Sequence, residues 1–378
     1  DLIAGMDSAH LTSLSTDQIA SLTTAAVKAL TSNEMKWLTS DQVSSLSTTA
    51  LQALSSAQVG AIDSADLVTL GADQVAAIST SGLVGLTSAQ VNNLKTDQIS
   101  ALTTLQIKNL KTSQIEALSS TQMSALTTTQ LGAITSLQAA AIESVDLVQL
   151  STDQIKALTT AAVTGLTSTQ VSKLTNAQVG ALTTDQTKAL TTSQIIALTS
   201  AQAESLTAEQ VSVLTTKQIS AMESADFGAL TTDGMSGLTS AQVSAINTAQ
   251  INSLGSNQLA SLSTDFVAAL SGAQAAAINS AVLSALSTDQ VSVMSTKAIA
   301  ALSSSQLSRF STDQVQALTG SQISALTYSQ VAALTGDQVS ALTSSQAASL
   351  TGNQITSIGS AVISRLQQDA LNSISASL

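Results

Sequence analysis

Proline and cysteine are both absent from this chain of 378 residues. Without cysteine there is neither a disulfide framework nor a thiolate metal site. Aromatic residues make up 1% of the chain, which argues against stacking platforms for bases or sugars. Only 10% of residues are charged, and the net charge is −12 with a pI of about 4.2. That balance repels polyanions and excludes nucleic acid as a partner, while it keeps a surface rich in Ser, Thr and Gln soluble. No apolar run reaches the ~18 residues that a membrane-spanning helix needs, so no membrane insertion is expected. No basic segment followed by an apolar one opens the chain, so no signal peptide is visible. Finally, no proline cluster, charge run or shift in composition marks a domain boundary.

What the chain does have is a period. Stepping by eight from Met6 to Ile374 meets 35 Leu, eight Ile, three Met (Met6, Met222, Met294) and Phe310, with no polar residue and no insertion. The octad Ser151 to Leu158, STDQIKAL, represents the 46 complete units. Numbered 1 to 8, the consensus is T/S, T/S, D/A, Q, I/V, x, A, L. Position 4 is Gln in 31 of the 46 octads. Position 5 is large and apolar except at Ala139, Thr187, Ala203, Ala275 and Ala347. Position 7 is mostly Ala, Ser or Gly. A fixed short period over the whole length implies one repeat array, so residues 1–378 read as a single continuous solenoid. The chain starts and stops in mid-octad, which suggests a fragment of a longer array.

One long helix cannot carry this pattern. Eight residues at ~100° each swing an apolar stripe by about 80° per octad, so it would wind around the helix and face nothing. A coiled coil fails for the same reason. In a strand, positions 5 and 7 would face away from position 8. A short helix in each octad fits every feature. Ser or Thr at position 1 and Gln at position 4 have the capping-box spacing, and position 8 of the preceding octad pairs with position 5 as the hydrophobic staple. Position 2 is an alternative cap, being Ser or Thr in 37 octads. Asp at position 3 lies in the first turn under either choice, where it suits the helix dipole.

One octad cannot bury enough apolar surface to offset the backbone entropy of ordering it, so neighbours must share a core. The fold class is therefore all-α: a solenoid of very short helices, one per eight-residue repeat. Small residues at position 7 would let adjacent helices approach closely. A fainter repeat bears on the coil size. DSADLVTL, ESVDLVQL and ESADFGAL begin at Asp63, Glu143 and Glu223, ten octads apart. Departures from Gln also tend to fall two octads apart, as at Asp66 and Gly82 or Asp146 and Ala162. Ten is a multiple of two but not of three or four. We favour two octads per coil, with three or four as the alternatives.

Few residues suggest chemistry. His10, the single histidine, occupies a Gln position and reads as a substituted cap residue; alone and without cysteine it offers no zinc site and no partner for a nucleophile. Asp63 with Asp66, Glu143 with Asp146 and Glu223 with Asp226 place two carboxylates at positions 1 and 4 of one octad. These pairs are calcium candidates, although Ca²⁺ takes about six to eight oxygens and backbone carbonyls would have to supply the rest. The plainer reading is that Asp at the third helical position caps the helix and suits its dipole. Threonine ladders suggest ice or glycan binding, but one hydroxyl per octad is already committed to the cap. Trp37 and Tyr328 are isolated. Serine is abundant, yet no Gly-x-Ser-x-Gly elbow with a matching histidine occurs. The sequence points to no enzyme and to no cofactor other than calcium.

The segments LTTDQ, ALTTSQ, ALTSAQ and LTTKQ resemble the ALTTxQ-type octapeptide arrays of very large bacterial proteins. The resemblance covers essentially every octad. It implies a secreted or cell-surface bacterial protein of the adhesin-like, fibrous kind. The expected role is structural: an extended repeat rod that acts as a stalk or spacer, or that self-associates end to end or side by side into a filament. The alternative is an adhesin-type module that uses one solenoid face to bind a glycan or a surface protein.

Overall fold

A computed structural model describes residues 5–358. They form 43 α-helices of four to six residues and one 3-10 helix, Leu283–Ala285, with no strand among the described residues. Every octad from Asp7 to Ile358 thus carries one helical segment, and the all-α solenoid of very short helices stands. Position 1 is the cap, which settles the ambiguity between positions 1 and 2. In the octad Ser151 to Leu158, Ser151 has φ −66° and ψ 163°, and its hydroxyl accepts from the Gln154 amide at 3.2 Å. Gln154 Oε1 accepts in return from the Ser151 amide at 2.8 Å. Helix Thr152–Ala157 ends at Leu158, whose ψ of 137° turns the chain out of the helix and into the next octad.

Reciprocal capping explains why position 1 tolerates lysine. Lys95 and Lys111 offer no acceptor to their helices, yet Gln98 and Gln114 still accept from the lysine amides at 2.8 Å each. Half of the box survives on glutamine alone.

The chain divides into two compact units, Asp1–Leu190 and Thr191–Leu378. Each is built in the same way. In the first, helix Ser136–Ala141 packs on Thr160–Gly165, which packs in turn on Thr184–Ala189. In the second, Ser200–Glu204 packs on Ser224–Ala229, and Gly272–Ala277 on Thr296–Ala301. Each helix thus meets the helix of the third octad along, and one turn of the solenoid takes three octads. The coil of two octads that the sequence favoured gives way to the alternative of three. The physical reason lies in the reach of position 4, where Gln154 Nε2 donates to the carbonyls of Ser124 at 3.0 Å and Leu126 at 2.7 Å. Those oxygens lie at the corner where one helix ends and the next begins, one three-octad turn earlier.

Positions 5 and 8 line the interior almost without exception, and the Gln of position 4 is buried beside them: Gln98 and Gln250 are fully inaccessible. No buried side-chain nitrogen or oxygen among the described residues lacks a hydrogen-bond partner. Ala139, Ala203, Ala275 and Ala347, the alanines at position 5, are completely buried as well.

Candidate functional surface

So short a helix leaves most of its carbonyls without an intrahelical partner. Glutamine supplies the missing donors from the next coil. Gln186 Nε2 donates to the carbonyls of Ile155 at 2.9 Å and Leu158 at 2.7 Å, and Gln58 serves Val27 and Leu30 at 2.7 and 2.8 Å. Each such side chain therefore caps the start of its own helix and the end of another one turn back. In the second unit Gln322 does the same for Val291 and Met294. Sequence alone revealed the first of these roles and missed the second.

Where glutamine is replaced, the stack adapts in two ways. One is a closer approach. Gly85, Gly165 and Gly237 are the glycines at position 7 of complete octads, and all three lie in octads with Gly or Ala at position 4 (Gly82, Ala162, Gly234). A Cβ built on them would lie 1.9, 2.4 and 2.1 Å from the carbonyl oxygens of Ser56, Ser136 and Ala208. Only glycine fits there. The other adaptation is a groove. Corners at Ile62–Asp63, Ile78–Ser79, Ile142–Glu143 and Ile278–Asn279 each open a shallow trough, from about 300 Å³ at the first to about 690 Å³ at the last. In each case the octad that follows the corner lacks Gln, having Asp66, Gly82, Asp146 or Val282 instead.

The acidic pairs take separate roles. Asp63 caps its helix by accepting from the Ala65 amide at 2.9 Å, whereas Asp66 turns to the coil below and accepts from the Ser40 hydroxyl at 2.5 Å. Asp146 and Asp226 are buried and accept in the same way from Ser120 and Ser200. Glu143 and Glu223 stand at N-caps without a side-chain cap bond. The ten-octad echo thus repeats a Ser–Asp contact between coils. Among the described residues, no three His, Cys, Asp or Glu side chains gather in one place.

His10 lies on the surface, with Nδ1 2.7 Å from Asp7 Oδ1, and the Asp7 carboxylate also accepts from the His10 amide at 2.9 Å. The amide bond, then the ring contact, hold the Asp7 carboxyl below its ordinary range. Glu34 replaces Gln in the second coil. Burial opposes its charge, but bonds from the Thr31 amide at 2.6 Å and the Gly5 amide at 2.9 Å, with the Thr31 hydroxyl, outweigh it and lower its pKa. Here an oxygen meets an amide where glutamine would present its NH₂ to a carbonyl. Trp37 is 39% exposed and Tyr328 67% exposed.

One surface feature depends on the coil size and so escaped the sequence reading. Asp265, Asp289, Asp313 and Asp337 recur at every third octad in the second unit, all exposed at position 3. Their helices pack in succession, so the four carboxylates share one edge.

The family model of the ALTTAQ repeat matches residues 3–40, 13–48, 59–96, 67–104, 99–136, 139–176, 219–256 and 299–328, together more than half of the chain. The chain belongs to the ALTTAQ repeat family. Among curated proteins, none matches this ALTTAQ array. No helix among its described residues is long and apolar enough to cross a membrane.

Proposed function

We propose that this ALTTAQ array is a structural element of an extracellular or cell-surface bacterial protein: an extended rod that spaces other parts of its parent from the cell, or that stacks into a filament. The observation that carries this reading is the glutamine bridge. It recurs with the octad and ties each coil to the one before, so the same contact extends the stack by any number of turns. The repeat family supports a structural rather than a catalytic role. The octad register also passes across Leu190 and Thr191 unbroken, which supports reading the chain as one array.

The second reading, a binding face for a glycan or a surface protein, draws on the corner grooves. Ala, Ser and Thr dominate their lining, with Asn252 and Asn279 in the largest and Glu143 in another, and no aromatic ring to stack on a sugar. The rod is the better supported of the two.

Electron microscopy of the purified chain over a concentration series tests it. Separate rods of one length are expected for a spacer, and filaments longer than one chain for an assembling element. Compact globules at every concentration would overturn both.

A further inference from the structure

Glutamine bridges are not spread evenly. In the first unit, the seven octads of residues 87–142 all carry Gln at position 4. The three octads before them, 63–86, have it only in the middle one, as Gln74, and the three after them, 143–166, only as Gln154. Each of these stretches is one turn of the solenoid. Asp66 and Asp146 reach serine hydroxyls one turn back, but a carboxylate has no hydrogen to give the corner carbonyls that glutamine would serve. Gly82 and Ala162 reach nothing. The same coils hold three of the corner grooves, at Asp63, Ser79 and Glu143. In the second unit the groove at Asn279 precedes the octad 279–286, whose helical segment is the 3-10 turn Leu283–Ala285. Val282 stands there in place of Gln. From Ser303 to Ile358 the bridges again run without a gap.

We propose that the coils 63–86 and 143–166 and the octad 279–286 are joints, at which the stack opens locally while the bridged blocks 87–142 and 303–358 stay closed. Two features meet at each joint: the donor that would tie the coil to the one before it is missing, and a groove opens at the corner, where the glutamine of the following coil (Gln90, Gln106, Gln170 or Gln306) still binds the corner carbonyl. A repeat array is held together by nearest-neighbour contacts, so a weakened interface sets where opening begins. The ten-octad echo is the spacing of the first two joints, 63–86 and 143–166. It equals three turns plus one octad, so the second joint begins on the next side of the coil.

Hydrogen–deuterium exchange of the full chain under native conditions, read by mass spectrometry, tests the proposal. Peptides from 63–70, 79–86, 143–150 and 279–286 are expected to exchange about tenfold or more faster than the matching positions of 87–142 and 303–350. Equal rates would overturn it. Val282→Gln is expected to slow exchange across 279–286 severalfold. Gln130→Ala, inside a bridged block, is expected to raise exchange across 127–134 towards the rate of the joints. If Gln130→Ala leaves that rate unchanged, the bridges do not set local opening and the proposal fails, whatever the fate of the valine variant.

Discussion

At the scale of the residue, glutamine at position 4 has two ends with opposite requirements. In Gln106, Oε1 accepts from the Thr103 amide at 2.7 Å, while Nε2 donates to the carbonyls of Ala76 at 3.0 Å and Ile78 at 2.7 Å. Alanine there removes the partners of three buried or half-buried backbone groups, at a cost of about 2–4 kcal/mol. Glutamate keeps the acceptor but turns a carboxylate oxygen towards two carbonyls, with no donor to give them. Urea unfolding should therefore rank Gln106→Glu at pH 7 below Gln106→Ala, although glutamate is the closer match in shape. Lowering the pH should bring the glutamate variant back towards the wild type as its carboxyl gains a proton. Glu34 shows the exception, since its second oxygen meets the Gly5 amide rather than a carbonyl. The capping half of this logic was legible in the sequence because it lies within a single octad. The bridging half reaches back across a whole turn of the coil, and nothing local reveals it.

At the scale of the element, each helix is set by what its neighbour one turn away permits. Gly165 lies in the last turn of helix Thr160–Gly165, against the backbone of Ser136. An added methyl must push two helices apart, costing about 1–3 kcal/mol in spite of the better helix propensity of alanine. Gly352, in the first turn of helix Gly352–Ser357, has open space around its Cβ direction. There alanine should stabilise by about 0.4–1 kcal/mol, because it restricts the unfolded chain. Thermal melts of Gly165→Ala and Gly352→Ala are thus expected to move in opposite directions. The sequence held a signal for the corners that adapt. Ile62, Ile78, Ile142, Met222, Ile278 and Met294 each depart from Leu at position 8, and each precedes an octad without Gln. Ile134, Ile246 and Phe310 depart from Leu before octads that keep it, so the two positions at a corner change together often but not always. The octad shows the buried positions 5 and 8 and narrows the cap to positions 1 and 2, between which the structure chooses position 1. Val282 marks the limit of that reading: a β-branched residue in place of the bridging glutamine accompanies the one octad among those described that forms a 3-10 turn.

At the scale of each unit, the coil of three octads was the part least legible in the sequence. The ten-octad echo implies an even coil only if it is a multiple of the turn. It is instead the spacing of the octads in which Asp66, Asp146 and Asp226 replace Gln, which need not match the turn. The true period shows in pairs such as Ser136 and Gly165, which become neighbours only in a coil of three octads. This bears on how the array tolerates change in length. Deleting one octad keeps the repeat register, but it shifts every contact across the deletion by one side of the coil. Inside a bridged block the contacts are interchangeable, since every octad offers the same glutamine and receives the same one. Removing 103–110 should therefore lower the thermal midpoint of the first unit only slightly. Removing 143–150 stacks helix Thr160–Gly165 on Thr128–Leu131, which has Leu131 at position 5, in place of Ser136–Ala141, which has Ala139 there. A helix fitted to a neighbour with alanine at position 5 now meets one with leucine there, with a repacking cost of about 1–3 kcal/mol. At roughly 2–4 °C per kcal/mol for a unit of this size, the midpoint should fall by several degrees more than for the first deletion. Circular dichroism melts of the two shortened chains make the comparison. If both deletions prove equally mild, the matched pairs carry no register of their own, and any octad can stack on any other.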